Sequence, residues 1–200
     1  LTIEKREVTL TSATDSKVYD GKPLANDEVT VSGDGWATGE GATYSVTGSQ
    51  TLVGSSANSF TYALNEGTKA DNYIITEAPG QLTVTARPDD AKFEITVVAN
   101  SGTETYDGTE KGVSGLVQTE FELDGVKYTV EGLSAEAKGT DAGEYTANVT
   151  GTATVRDAAG NDVTSQFVVK TQAGKLTIEK REVTLTSATD SKVYDGKPLA

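Results

Sequence analysis

The chain has 200 residues, no Cys, His or Met, and a formal net charge of −13 at pH 7. This composition excludes disulfides, thiolate nucleophiles, zinc–thiolate sites and the usual neutral-pH general base. The charge disfavours nucleic acid and anionic membrane surfaces as partners. No apolar run reaches the length of a membrane span or a signal-peptide core, so no membrane insertion is expected in this stretch. The absence of Met fits an internal segment of a longer chain. Lack of Cys suits a cytosolic protein or a disulfide-free surface protein and does not fix the compartment.

Residues 1–25 (LTIEKREVTLTSATDSKVYDGKPLA) recur letter for letter at 176–200, 175 positions later. Such a period marks a repeat architecture. Residues 1–5 are therefore expected to be the last strand of a preceding module. Residues 6–86 form a first module, A, and 87–180 a related second module, B. Residues 181–200 begin the next copy of A. The relation between A and B is read from matches in the same order. Tyr19-Asp20-Gly21 matches Tyr106-Asp107-Gly108 at an offset of 87, and Thr51-Leu52-Val53-Gly54 matches Thr140-Asp141-Ala142-Gly143 at 89. Asn72-Tyr73 matches Gln166-Phe167, and Gly80-Gln81-Leu82 matches Gly174-Lys175-Leu176, both at 94. The growing offset places loop insertions in B, one of them around residues 153–164.

The local pattern is β throughout. In A, Val8/Leu10, Val29/Val31, Tyr44/Val46, Phe60/Tyr62/Leu64, Tyr73/Ile75 and Leu82/Val84 alternate with polar residues. In B, Phe93/Ile95/Val97, Val126/Tyr128/Val130, Tyr145/Ala147/Val149, Ala153/Val155, Phe167/Val169 and Leu176/Ile178 do the same. Gly-, Asn- and Asp-rich turn signals separate the runs, among them Ser32-Gly33-Asp34-Gly35, Asp124-Gly125 and Ala159-Gly160-Asn161-Asp162. Strands of about five or six residues are expected, and residues 134–138 (SAEAK) could hold one helical turn. The fold class is thus all-β: two tandem, small, antiparallel modules, read as Ig-like sandwiches with a β-grasp-like sheet as the alternative. The cores are thin, so contact between A and B should help to hold them. The junctions Arg87-Pro88-Asp89-Asp90 and Lys180-Arg181 lack Gly/Ser tethers and should be stiff, making the array elongated.

Tyr19-Asp20-Gly21 and Tyr106-Asp107-Gly108 are the strongest recurring motif. Turn chemistry accounts for all three residue types: Tyr in the core, Asp bonding nearby backbone N–H groups, Gly at positive φ. That reading is preferred to a ligand contact. Trp36, in a Gly-rich loop, could stack on a sugar or anchor a partner, but packing over an edge or at a module junction is preferred. Asp157, Asn161 and Asp162, and secondarily Asp89 and Asp90, are the nearest approach to a calcium loop. They lack its ligand spacing and read as a solvated turn. A Lys–Asn cross-link built from Lys17, Asn72 and Glu66 is disfavoured, because B has Gln166 at the place of Asn72. Asn148-Val149-Thr150 matches a glycosylation sequon only by pattern. Neither paired carboxylates nor a Ser with a base partner can be picked out, so no enzyme and no cofactor are expected.

Lys17-Val18-Tyr19-Asp20-Gly21, Asp71-Asn72-Tyr73-Ile74-Ile75 and Pro79-Gly80-Gln81-Leu82-Thr83-Val84 resemble the YDG/MBG-type repeats of Gram-positive cell-surface proteins. The B stretch resembles them through Tyr106-Asp107-Gly108-Thr109, Thr140-Asp141-Ala142-Gly143-Glu144-Tyr145 and Lys175-Leu176-Thr177-Ile178. The resemblance implies tandem β modules in large, extracellular, wall-anchored proteins, where such modules serve as stalks or adhesin parts, and it transfers no catalytic residue. The expected function is a structural spacer that projects a distal domain from the cell. Its expected partners are neighbouring repeat modules. The alternative is an adhesive module that binds host glycan or protein through the Trp36 loop or an exposed edge strand.

Overall fold

The computed structural model describes residues 1–198; Leu199 and Ala200, the end of the expected 181–200 segment, lie outside the described residues. The described chain is all-β, with sixteen strands and three single-turn 3-10 helices. The A stretch holds β1 (Arg6–Ser12), β2 (Asp15–Val18), β3 (Val29–Gly33), β4 (Ala42–Val46), β5 (Gly54–Asn58), β6 (Phe60–Leu64), β7 (Tyr73–Ala78) and β8 (Gly80–Thr85). Their sheet orders are β3-β1-β7, β2-β8-β5 and β4-β6. The B stretch holds β9 (Phe93–Val98), β10 (Gly102–Thr105), β11 (Lys111–Ser114), β12 (Glu120–Leu123), β13 (Val126–Gly139), β14 (Gly143–Asp157), β15 (Phe167–Gln172) and β16 (Gly174–Glu179). One sheet runs β10-β16-β14-β13-β11, with β12 also on β13, and β15 pairs with β9.

The sequence offsets reappear as hydrogen-bonded registers. β2 runs parallel to β8 with Asp15 opposite Leu82, and β10 runs parallel to β16 with Gly102 opposite Leu176. β5 is antiparallel to β8 from Gly54↔Val84 to Asn58↔Gly80, and β14 is antiparallel to β16 from Gly143↔Ile178 to Ala147↔Gly174. The two stretches differ in where they extend their ladders. The five-residue β1–β3 ladder of A, which ends at Ser12↔Val29, shrinks in B to the single bridge Ala99↔Leu116. Conversely, the single bridge Leu24↔Gln50 of A becomes the four-residue ladder Lys111↔Gly139 to Ser114↔Glu136 in B.

Three expectations are corrected. Pairing is mixed rather than wholly antiparallel: β1–β7, β2–β8 and β10–β16 are parallel. β13 and β14 have 14 and 15 residues, well beyond the five or six expected. Residues 134–138 are strand, not a helical turn. Ala135 and Ala137 are buried while Ser134, Glu136 and Lys138 are exposed, a period of two that decides against a helix.

By packing, the described chain forms two compact units. The first comprises Leu1–Val97, Gln118–Leu133 and Gly151–Thr171; the second comprises Val98–Val117, Ser134–Thr150 and the residues from Gln172 on. This division runs through β13 and β14 and does not coincide with the boundary read at residue 87. In the first unit Val8, Leu10, Phe60 and Tyr73 form a core, flanked by Trp36 and Tyr44. A separate aromatic group there joins Phe93, Tyr128 and Phe167, with Tyr128 edge-on to Phe167 at 4.8 Å. The second unit packs Ala99, Ala135, Ala137 and Ala147 around Leu176 and Ile178. Of its fully buried side chains Leu176 and Ile178 are the large ones, with Val113, Leu116, Tyr145 and Val149 packed against them half-buried, and full burial stabilises each of the two by about 1.5–3 kcal/mol.

Candidate functional site

The Tyr-Asp-Gly motif occurs three times, and all three copies form the same turn. Asp20 Oδ1 accepts from Lys22 N at 2.9 Å and from Lys17 Nζ at 2.7 Å. Asp107 Oδ1 accepts from Thr109 N at 2.9 Å, and its Oδ2 accepts from Lys111 Nζ at 2.6 Å. In the third copy Asp195 Oδ1 accepts from Lys197 N at 3.0 Å and from Lys192 Nζ at 2.8 Å. The following glycines sit at φ 76°, 83° and 77°, in the left-handed region that a Cβ disfavours. Lys111, with Thr109, holds the Asp107 carboxyl far below the usual carboxylate range. Lys192 does the same, less strongly, for Asp195. The third copy has no strand beside it among the described residues, so the turn is a product of local chemistry alone: an Asx-type bond, a nearby ammonium and a glycine.

Burial of the tyrosine is not local. Tyr19 is 1% exposed, Tyr106 38% and Tyr194 92%. The expectation that the tyrosine of each motif packs into the core is therefore corrected for Tyr106. The first two copies share a backbone anchor: Tyr19 N donates to Thr85 O and Tyr106 N donates to Glu179 O, both at 2.9 Å. Among the described residues, the Tyr19 turn has residues of the following stretch packed on it and the Tyr106 turn does not. Arg87 Nη1 donates to Tyr19 O at 3.0 Å, and Arg87 N donates to Gln166 Oε1 at 2.9 Å. The same guanidinium lies 4.0 Å over the Phe93 ring, a cation–π contact that fixes its plane. A Cβ on Gly21 would come within 2.1 Å of Tyr128 Oη and 3.1 Å of Val126 Cγ1. The Tyr19 and Tyr128 hydroxyls adjoin without a well-formed hydrogen bond between them or to any other group. Burial first, and the Tyr128 hydroxyl second, push the Tyr19 hydroxyl well above the ordinary phenol range.

Trp36 is half-buried and committed to its own stretch. Its Nε1 donates to Tyr44 Oη at 3.1 Å, and its ring meets Tyr73 edge-on at 4.9 Å and 65°. Around it, Arg6 Nε donates to Gly35 O at 2.9 Å, Ala37 N donates to Tyr73 Oη at 3.1 Å, and Tyr73 Oη donates to the Glu40 carboxylate. The Gly-rich loop is thereby tied to β1 and β7 at several points.

The remaining candidates fall apart spatially. Asp157 Oδ1 is occupied by Ala159 N and Asn161 N, and Asp162 Oδ1 by Thr164 N and Oγ1. Asp89 pairs with Lys92 at 2.8 Å. Among the described residues no group of three or more Asp and Glu side chains is placed to hold a metal ion. Lys17 Nζ is taken by Asp20 and by the Lys22 carbonyl, whereas Asn72 and Glu66 are exposed elsewhere, so the three do not meet. Asn148-Val149-Thr150 lies within β14.

Arg87 and Tyr128, which meet the Tyr19 turn, and Phe93 and Gln166, which hold Arg87, were not candidates from sequence. One signal was present for Arg87. It ends the string Leu82-Thr83-Val84-Thr85-Ala86-Arg87, which parallels Leu176-Thr177-Ile178-Glu179-Lys180-Arg181 and residues 1–6. Comparison with protein-family models, with curated proteins and with solved structures gave no match.

Proposed function

We propose that A and B are tandem β-sandwich modules of a bacterial surface protein. In this reading they are non-enzymatic spacers that carry a distal functional domain away from the cell. The observation that carries it is the recurrence of the same ladders at the same sequence offsets, with the Tyr19 turn of A held by residues of B. Repetition of this kind suits a part whose job is length: each added module lengthens the array by a fixed step, on the order of 30–40 Å for strands rising about 3.3 Å per residue. Three further features support the reading. The A-to-B junction is clamped by hydrogen bonds rather than tethered by Gly and Ser. The net charge of −13 opposes self-association. Trp36 is half-buried, with its ring packed on Tyr73 and its N–H on Tyr44, which leaves it poorly placed as a sugar platform.

Small-angle X-ray scattering on chains with one, two and three 175-residue units tests the reading. The maximum dimension should grow in proportion to unit number. A dimension that saturates as units collapse together would refute it, and a positive glycan-array signal lost on Trp36→Ala would favour the adhesive alternative.

A further inference from the structure

We propose that the Tyr106-Asp107-Gly108 turn is a docking knob, and that its socket is a cleft beside Trp36 on an A-type module following B. The inference rests on reading A and B as tandem modules, but not on any role for the array as a spacer.

The argument begins with the asymmetry between the first two turns. They share a backbone bond to the last strand, an Asp-capped loop and a left-handed glycine, yet Tyr19 is 1% exposed and Tyr106 38%. What differs is the cover. At the first turn Arg87 bonds the Tyr19 carbonyl, with Gln166 holding Arg87 in place, and Tyr128 and Val126 lie against Gly21. Among the described residues no such group lies against the Tyr106 turn: a Cβ on Gly108 would meet nothing within 4 Å. A large, partly apolar ring held on a rigid turn is a ready anchor for an interface.

The A stretch carries the counterparts of that cover. At the offset of 94, Gln166 corresponds to Asn72 and Phe167 to Tyr73. Arg87 corresponds to Arg6 in the recurring strand-end string. Trp36 meets Tyr73 edge-on at 4.9 Å and 65°, the relation in which Tyr128 meets Phe167 at 4.8 Å and 66°. Arg6, Asn72 and Tyr73 line one open cleft with Ala37, Glu40, Asp71 and the lead-in residues Ile3–Lys5, and Trp36 packs on its Tyr73 wall. The lead-in is identical to Ile178–Lys180, which in this chain extends β16 beside the Tyr106 anchor. Residues 181–198 repeat the opening of A letter for letter, so an A-type module is the partner that the sequence itself places after B. In that arrangement Arg181 takes the part that Arg87 plays at Tyr19.

The test compares the 200-residue chain with the same chain extended by a second copy of residues 26–86, which completes the following A module. Hydroxyl-radical footprinting read by mass spectrometry reports Tyr106, whose peptide occurs once in both chains, without mutation, and the present chain sets the Tyr19 level. In the present chain Tyr19 should be protected and Tyr106 labelled. In the extended chain Tyr106 labelling should fall to the level of Tyr19. A second measurement is the melting of Tyr106→Ala. It should shift the midpoint little in the present chain and lower it by about 4–8 °C in the extended one. Unchanged labelling of Tyr106 in the extended chain, or equal small shifts in both chains, overturns the docking proposal. Scattering dimensions that saturate while Tyr106 is protected would overturn the spacer reading alone.

Discussion

Gly21 and Gly108 adopt similar φ values, 76° and 83°, but only Gly21 has a neighbour where its side chain would go. Replacing Gly108 by Ala meets nothing within 4 Å and should cost only the left-handed strain, about 1 kcal/mol. Gly21→Ala adds an overlap with Tyr128 and should cost about 3 kcal/mol or more; urea titration of the two variants measures the difference. The same logic applies to the ring. Tyr19→Ala should cost about 3–5 kcal/mol as a large core truncation. Tyr19→Phe should change stability by less than about 1 kcal/mol, because the hydroxyl it removes has no partner to lose. That hydroxyl also sets a pH limit. Its folded pKa is raised above the unfolded value of about 10, so the folded state keeps its proton longer than the unfolded chain. Its contribution is fully present below pH 10 and is lost as pH rises above it. Tyr128, raised first by burial, acts in the same direction. Thermal midpoints should therefore drop above pH 10, and the drop should be smaller in Tyr19→Phe.

At the scale of elements, A and B solve one packing problem with different chemistry. In A, Asn58, the last residue of β5, is fully buried; its Nδ2 donates to Ala13 O at 3.0 Å and to Asn26 O at 2.8 Å. Ser12 Oγ donates to Asn58 O and accepts from Gly80 N. The corresponding positions in B are Ala147 and Ala99, both 1% exposed, and β14 runs unbroken where β5 and β6 are separate. Asn58→Ala should cost about 1–3 kcal/mol by stranding two carbonyls, and the double change with Ser12→Ala should cost less than the sum of the singles, as denaturant melts would show. Alternation exposed the strands that bury Val, Leu, Ile and Phe. It could not expose β2, β5 or β10, whose sequences Asp15-Ser16-Lys17-Val18, Gly54-Ser55-Ser56-Ala57-Asn58 and Gly102-Thr103-Glu104-Thr105 contain almost no large apolar residue. These strands exist because β8 and β16 offer them hydrogen-bonding edges. Nor does alternation carry direction, so the parallel pairs were invisible. At 134–138 a helix-forming composition hid a strand, because the side chains that this strand buries in the core around Leu176 are alanines, Ala135 and Ala137. The turn chemistry of the Tyr-Asp-Gly site was legible because it is local. Its cover was not, because Tyr19 and Gln166 are brought together only by the chain between them.

For the molecule as a whole, the first compact unit draws on both sequence stretches, since it holds β1–β8 together with β9, β12 and β15. Residues 1–86 made alone would leave the Tyr19-Asp20-Gly21 turn without Arg87, Tyr128 and Val126. Calorimetry should place the midpoint of that fragment below that of the full chain by about 4–8 °C for each kcal/mol of cover lost; an equal midpoint would show that the cover contributes nothing. The parallel ladders carry a consequence for load. β2 stands near the beginning of the A stretch and β8 at its end, and they lie side by side pointing the same way, as do β10 and β16 in B. A chain pulled from its two ends would draw such strands lengthwise past each other. The four facing residue pairs from Asp15↔Leu82 to Val18↔Thr85 would then be strained together rather than one after another. Rupture under tension should be abrupt and need high force, where an antiparallel hairpin would peel open gradually.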